Sequence, residues 1–278
     1  MCEPLGVNIL ELWPIINWRV RFSPSPVEVL KGWGVALAVV IGCSLYPSAS
    51  LSAPVSIWTT FTPENSDLPN GGSALALGPD GSLWAGTSGG LARLDRVGHW
   101  QVYTGVNTNG GLPDDRIRAL ALGPDGSLWV GTFGAGLARL DVEGHWKTYS
   151  KASTNGGLPD DGLRALVLGS DGSAWVGTFG GVARLDRDGH WQNYTKASTN
   201  GGLPGDMIAS LALGPDGSLW VGTVGGVGLA RLDKNDHWRV YTKDNTNGGL
   251  LSDSILSLAL CPDGSLCRHR RWRVSARE

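Results

Sequence analysis

The sequence predicts an all-β fold, a β-propeller of four-stranded antiparallel blades with four complete repeats and an incomplete fifth. A leucine of one recurring motif returns every 44 to 47 residues, at Leu68, Leu112, Leu158, Leu203 and Leu250. Each repeat holds short apolar runs separated by glycine-rich turns. None of these runs shows the 3.6-residue period of a helix. A period in the forties with this pattern is typical of one propeller blade per repeat.

One repeat, residues 111–146, illustrates how the four strands of a blade are specified. Large and small side chains alternate over residues 117–122, which predicts an innermost strand lying between neighbouring blades. Pro124 and Gly126 predict the turn that follows, because proline presets φ and glycine accepts a positive φ. The second, third and outermost strands are predicted at residues 128–132, 137–141 and 145–150.

The repeats divide the chain into three regions. Blades are predicted at about residues 72–104, 115–150, 161–196 and 207–243, and a fifth begins at Ser254. The fifth copy keeps the pattern to Leu266 and loses it at Cys267. Two explanations stay open for this loss, a frameshift in the gene and an internal deletion. We therefore expect propeller repeats over residues 54–266 and an aberrant tail over residues 267–278.

Residues 1–53 contain no repeat and are predicted to be a leader. The apolar run over residues 32–46 has about the length of a signal-peptide core and falls short of the ~20 residues of a membrane span. The small residues Ala49, Ser50, Ser52 and Ala53 suit cleavage before Pro54. Export to the periplasm or the extracellular space is therefore expected. Residues 40–43 also resemble a bacterial lipoprotein box, in which Cys43 would carry a lipid anchor.

Composition excludes several classes of partner and cofactor. The 278 residues carry a net charge of -2, and the basic residues are scattered through the repeats, so no nucleic-acid partner is expected. Two of the four cysteines lie in the leader region and two near the carboxyl end, which predicts no disulfide framework. No cofactor is expected.

The candidate ligand site is predicted where the repeats differ from one another. In a propeller the interblade connections and the turns between second and third strands share one face, where ligands are expected. A residue present in every blade serves the blade, so the variable positions are more informative. The candidate ligand-binding residues are Arg116, Arg118, Arg164, Asp115, Asp161, Phe133 and Phe179. Arginines beside carboxylates and exposed rings suit a small-molecule or glycan-like ligand, sugar-like or anionic. Alternatively, Arg118 and Arg164 are solvated or paired with Asp115 and Asp161.

Metal and catalytic sites find little support in the sequence. The acidic pairs at 114–115 and 160–161 are absent from the third and fourth loops, so no metal site is predicted. One histidine per blade precedes the outer-strand tryptophan, at His99, His145, His190 and His237. These positions lie on the opposite face and on different blades, and no catalytic residue is therefore predicted.

The repeat pattern G-L-P-x-D-x-I-x-x-L-A-L-x-x-D-G-S-L-W-V-G-T-x-x-G-L-A-R-L-D, which recurs over residues 57–266, resembles the two-component regulator propeller repeat. That family builds periplasmic sensor regions of bacterial signalling proteins. The resemblance implies a non-enzymatic, extracytoplasmic ligand-sensing module with a membrane signalling partner. The chain would be either a fragment of a larger sensor or a small stand-alone exported propeller. The G-P-D-G-S-L-W run is also similar to streptogramin lyase propellers, which would imply metal-assisted ring opening of a cyclic peptide. A protein-interaction scaffold is the third alternative.

Overall fold

The structure is a computed structural model that describes residues 37–38 and 60–261. These residues form eighteen β-strands and no helix, so this part of the chain offers no helix able to cross a membrane. The chain divides into two compact units, residues 1–72 and 73–278. The predicted leader (apart from 37–38) and the predicted tail at 267–278 lie outside the described residues, and both stay predictions.

The first unit contains one strand pair and a tight turn. Strand β1 (Leu37–Ala38) pairs antiparallel with β2 (Thr60–Phe61). After β2, Asn65 Oδ1 accepts the backbone N–H of Thr62 at 2.7 Å, and the hydroxyl of Ser66 donates to the Thr62 carbonyl at 2.7 Å. The loops that follow the outermost strands in the second unit repeat these contacts, which matches their shared sequence pattern.

The second unit consists of four antiparallel four-stranded sheets in chain order. The first two blades comprise β3 (Ala74–Leu77), β4 (Leu83–Gly86), β5 (Leu91–Leu94), β6 (Trp100–Tyr103), β7 (Ile117–Leu122), β8 (Leu128–Thr132), β9 (Leu137–Leu140) and β10 (Trp146–Tyr149). The next two comprise β11 (Leu163–Leu168), β12 (Ala174–Thr178), β13 (Val182–Leu185), β14 (Trp191–Tyr194), β15 (Ile208–Leu213), β16 (Leu219–Thr223), β17 (Leu229–Leu232) and β18 (Trp238–Tyr241). The all-β propeller prediction is confirmed, and the strands of the second blade agree with their predicted bounds to within one residue.

The core lies between consecutive blades. The innermost strands pack in the order β3, β7, β11 and β15, and all five residues of β8, β12 and β16 are buried. The glycine before the last threonine of each second strand makes room for the next blade. A Cβ at Gly86 would lie 2.5 Å from Cγ2 of Ile117, and one at Gly177 would lie 2.6 Å from Cγ2 of Ile208. Close packing of neighbouring blades therefore requires the glycine of the Trp-Val-Gly-Thr motif.

The incomplete fifth copy begins with the same backbone contact as the second copy. The N–H of Ile255 donates to the carbonyl of Thr223 at 2.8 Å, as Ile117 does to Thr87 at the same distance. Ile255, Leu258 and Leu260 pack against a buried cluster of the fourth blade that contains Trp220. Cys261 is disulfide-bonded, which corrects at this position the expectation drawn from cysteine placement.

A stack of tryptophan, arginine and aspartate recurs in every complete blade. The buried tryptophans are Trp84, Trp129, Trp175 and Trp220, each 6 to 8% exposed. Over each ring, at 5.1 to 5.4 Å, lies the guanidinium of Arg93, Arg139, Arg184 or Arg231. Each guanidinium reaches the carboxylate of Asp80, Asp125, Asp171 or Asp216 at 2.5 to 3.6 Å. Residues common to all four blades therefore support the blade, as predicted.

We expect these aspartates to contribute to acid sensitivity. Hydrogen bonds from Ser82, followed by Arg93, lower the pKa of Asp80 to about 2, and equivalent contacts lower the pKa of Asp216 to about 2. Because these pKa values lie below the unfolded value of about 4, the stabilisation is complete above about pH 4 and is lost as pH falls through about 2. The free energy of unfolding of the Asp80→Asn/Asp216→Asn double variant should be lower by about 1 kcal/mol per site at pH 7. It should also decrease less than that of the parent as the pH falls from about 4 to about 2, which we call a shallower acid limb.

Urea denaturation between pH 2 and pH 7 measures this difference. Both carboxylates are about half exposed, so the effect should be modest. Asp244→Asn, in an exposed loop, serves as the control and should follow the parent curve. A double variant whose acid limb coincides with that of the parent would contradict the assignment.

Candidate functional site

The interblade loops and the turns between second and third strands meet on one face, which we call the upper face. The N–H of Phe133, in the turn after β8, donates to the carbonyl of Arg116 in the preceding loop at 2.9 Å. The N–H of Gly136, in the same turn, donates to the carbonyl of Asp161 in the next interblade loop at 2.9 Å. The fourth blade repeats both contacts, from Val224 to Met207 and from Gly228 to Asp253, so these turns and the interblade loops lie on one face.

The interblade loops are braced by repeated polar contacts. One carboxylate oxygen of Asp115 accepts the N–H of Gly105 at 2.7 Å, and one of Asp161 accepts the N–H of Lys151 at 2.6 Å. Asp206 and Asp253 make the same contact in the later loops, each at 2.6 Å. Because the contact recurs in every such loop, Asp115 and Asp161 hold the loop backbone beside the candidate site.

A β-bulge places an arginine at the start of two innermost strands. The pairing register shifts between Ile117 and Ala119 in β7, and at the equivalent positions of β11 and β15. The extra residue is Arg118 in β7, Arg164 in β11 and Ala209 in β15. A bulge redirects the side chain of the extra residue away from the regular alternation of the strand. Arg118 is exposed and Arg164 is half-buried, although both follow a fully buried side chain.

Five of the seven predicted site residues form a continuous cluster, which we call the Arg/Phe cluster: Arg116, Arg118, Phe133, Arg164 and Phe179. The guanidinium carbons of Arg116 and Arg118 lie 4.8 and 4.9 Å from the centre of the Phe133 ring. That of Arg164 lies 5.4 Å from the Phe179 ring. The two rings meet edge to face, with centres 6.2 Å apart and planes at 85°. The second and third blades therefore contribute side chains to one cluster.

The three arginines of the cluster differ in their charge partners. Arg116 forms a bidentate pair with Asp114, with Nε to Oδ1 at 3.0 Å and Nη2 to Oδ2 at 2.9 Å. Burial raises the pKa of Asp114, but the hydrogen bonds from Arg116 outweigh it and the net pKa is lowered, so the pair stays ionised. Sequence reasoning considered Asp114 only as a metal ligand and missed this pairing.

Arg118 and Arg164 have no ion-pair or hydrogen-bonding side-chain partner among residues 60–261. The pairing with Asp115 and Asp161 considered from the sequence is therefore not formed. Their guanidiniums lie against phenyl rings, at the distances given above. A guanidinium stacked on a ring by its face keeps the N–H donors at its edge. Two charged groups on the upper face are thus left with unused donors.

The cluster is a local departure from the repeat. At the ring position the first and fourth blades carry Ser88 and Val224, and at the bulge position the fourth blade carries Ala209. A feature present in only two blades is not needed to build a blade. This contrasts with the tryptophan and arginine stack, which every complete blade contains.

The opposite face carries the histidines and one group of potential metal ligands. Each blade histidine lies in an exposed turn with its Nδ1 3.2 to 3.4 Å from a carboxylate of the same turn. Ligand atoms of Asp141, Glu143 and His145 lie within 4.8 Å of one another, the one such group within the described part of the chain. All these histidines are 74 to 81% exposed and sit on separate blades.

A cleft of about 410 Å³ separates the second and third blades on that opposite face. Asp125, Arg139 and Lys147 line it from one blade, and Asp186 and Arg187 line it from the next. It contains none of the predicted ligand-binding residues. Asp125 and Arg139 belong to the stack that recurs in every blade, so the cleft follows from blade construction.

Comparison with known proteins supports the repeat type and the fold. The two-component regulator propeller family matches residues 111–134 and 202–225, in the second and fourth repeats. The extracellular domain of the putative hybrid two-component system BT3049 from B. thetaiotaomicron is 19% identical, with a TM-score of 0.60 over 70% of this chain and 27% of that one. The extracellular domain of the putative one-component system BT4673 from the same organism is 19% identical, with a TM-score of 0.58 over 75% and 28%.

A streptogramin B lyase structure is 16% identical, with a TM-score of 0.55 over 76% of this chain and 65% of that one. The chain spans about a quarter of the two sensor domains and about two thirds of the lyase. No curated protein matched. At these identities the likenesses concern the fold. Together they show that the chain is a β-propeller and that two of its segments match the two-component regulator propeller repeat.

Proposed function

We propose that this chain is an exported, non-enzymatic propeller that binds a small-molecule or glycan-like ligand on its upper face as the sensing part of a bacterial signalling system. The observation that carries the proposal is the Arg/Phe cluster, in which the guanidiniums of Arg118 and Arg164 stack on phenyl rings and have no acidic partner within residues 60–261. The repeat type and the folds of the two extracellular sensor domains support the sensing role.

The cluster has the physical properties of a binding surface. A hydrogen bond between a guanidinium and a ligand oxygen contributes roughly 1.5 to 3 kcal/mol, more than a neutral one. Phe133 is 36% exposed and offers a ring for stacking. The residues that carry the cluster are held by the braced interblade loops and by strand pairing. Such support lowers the entropy lost when a ligand binds.

Export and signalling output belong to the same proposal. The apolar run over residues 32–46 supports secretion, and Cys43 would add a lipid anchor if residues 40–43 act as a lipoprotein box. We propose that a membrane signalling partner receives the output of the propeller. An enzyme similar to streptogramin lyase is the alternative. We consider it less favoured because lyase chemistry needs a base that converges with other catalytic groups at one spot, whereas the blade histidines lie on separate blades.

The double variant Arg118→Ala/Arg164→Ala tests the site. We expect it to abolish ligand-induced thermal stabilisation across a panel of glycans and small molecules, while its own Tm stays within 2 °C or so of the parent. The matched control is Arg96→Ala/Arg187→Ala, which removes two exposed arginines from turns on the opposite face and should leave stabilisation intact.

Three results would contradict parts of the proposal. A large fall in Tm of the Arg118→Ala/Arg164→Ala variant would assign both arginines to structure. Ligand stabilisation that persists in this variant would move the site elsewhere. Binding of a partner protein, with no stabilisation by any compound in the panel, would favour the interaction scaffold.

A further inference from the structure

The acidic side chains around the Arg/Phe cluster are already engaged. Asp114 pairs with Arg116, and Asp115 and Asp161 each accept a loop N–H. One oxygen of Asp160 accepts the N–H of Gly162 at 2.7 Å. Arg118 and Arg164 therefore form no ion pair with any side chain of the described residues. The anionic groups of a bound ligand would provide ion-pair partners for both guanidiniums.

The chemistry of guanidinium favours an anion over a neutral hydroxyl group. Arginine donates five hydrogen bonds in a fixed fork and accepts none, a geometry that matches the two oxygens of a carboxylate or sulfate. A sugar hydroxyl can accept from only one arm of the fork and contributes no charge. A ligand that used Arg118 and Arg164 only through hydroxyl groups would leave most of this capacity unused.

The order of contacts within the cluster also constrains the ligand. Arg118 contacts Phe133, Phe133 contacts Phe179, and Phe179 contacts Arg164, so the two rings connect the two cations. The centres of the rings are 6.2 Å apart. A flat or ring-shaped segment can lie against apolar rings, whereas a highly charged one would be desolvated there at a cost.

We infer, on the basis of the ligand-binding function proposed above, that the ligand is a dianion whose two carboxylate or sulfate groups pair with Arg118 and Arg164, with a ring-containing segment between them against Phe133 and Phe179. Acidic oligosaccharides and aromatic dicarboxylates share this chemistry. Arg118 and Arg164 are the residues that determine specificity for the anionic groups, and the phenyl pair selects the segment between them.

Calorimetric titration of the full chain with three probes tests the inference. The probes are digalacturonate, which carries two carboxylates, its neutral counterpart galactobiose, and naphthalene-2,6-dicarboxylate. We expect at least one acidic probe to bind roughly 100-fold more tightly than the neutral one at 50 mM salt, and to weaken as salt increases. Which acidic probe binds distinguishes the carbohydrate source from the aromatic one.

Single variants separate charge from shape. Arg118→Ala and Arg164→Ala should each weaken the acidic probe roughly ten- to hundredfold and reduce its salt dependence. Arg118→Lys should recover only part of that loss, because lysine keeps the charge but lacks the bidentate fork. Because Arg118→Lys retains a long cationic side chain, it also reports on binding if the alanine variants fold poorly.

Failure of the inference and failure of the proposed function give different results. If galactobiose binds as tightly as digalacturonate, and Phe133→Ala abolishes binding while the arginine variants do not, the dianion is wrong but the upper face is still a ligand site. Absence of binding by both acidic probes at millimolar concentration also overturns the dianion. If ligands from the wider panel bind and neither Phe133→Ala nor the arginine variants affect them, the proposed site itself is wrong.

Discussion

Replacing Gly136 with alanine should destabilise the propeller by about 3 kcal/mol or more, whereas the same change at Gly144 should cost about 1 to 2 kcal/mol. The two glycines have nearly the same φ, 89° and 92°. A Cβ at position 136 would overlap the carbonyl oxygen of Tyr149, while one at position 144 would meet nothing within 4 Å. The pair therefore separates backbone strain, which both variants share, from a steric clash that only one of them has.

The Gly136 variant should also disturb the candidate site. Gly136 donates its N–H to the carbonyl of Asp161, and the same turn carries Phe133. Urea denaturation of both variants measures the stability difference, and ligand titration measures the effect on the cluster. Equal losses of stability at the two positions would show that the clash with the outermost strand adds no destabilisation at Gly136, and would contradict the prediction.

The second large effect is expected at Trp175. Its ring is 6% exposed, stacks on Tyr194 at 5.8 Å, and lies beneath the guanidinium of Arg184 at 5.1 Å. It belongs to a buried cluster that includes Ile208 and Leu211 of the next blade. Trp175→Ala should therefore cost about 3 to 5 kcal/mol, since it removes a large buried side chain at a contact between blades.

Chemical denaturation gives the size of this loss, and hydrogen exchange gives its location. Because each blade contacts mainly its neighbours, the protection of backbone amides against hydrogen exchange should decrease most in the third and fourth blades. Val142→Ala is the control, since Val142 is 74% exposed and the change should stay within about 0.5 kcal/mol. A loss below 1 kcal/mol for Trp175→Ala would contradict the role of this ring in joining the blades.

Much of the fold could be predicted because its determinants are local and repeated. Side-chain alternation over residues 117–122 and the turn at 124–126 specify a strand and a hairpin without reference to the rest of the chain. Five copies in register show that this unit stacks on itself. The structural role of the residues common to all blades followed from the same repetition, and the stacks around Trp84 and its equivalents confirm it.

The site could be predicted only as a set of residues. Variation between copies singled out Arg118 and Phe133, but it could not reveal the bulge that turns Arg118 away from the regular alternation, since a bulge depends on pairing with β8. Nor could it show that Asp115 braces a loop, or that Cys261 forms a disulfide.

By itself the sequence determined the repeat, the strands and the face on which the blades differ, because these follow from local periodicity and turn chemistry. Only the tertiary structure decided that Phe133 and Phe179, 46 positions apart, meet edge to face and join two arginines into one cluster. The physical reason is that the stacking of one blade on the next brings these side chains together. The repeat pattern of the sequence does not indicate which side chains of neighbouring blades come into contact.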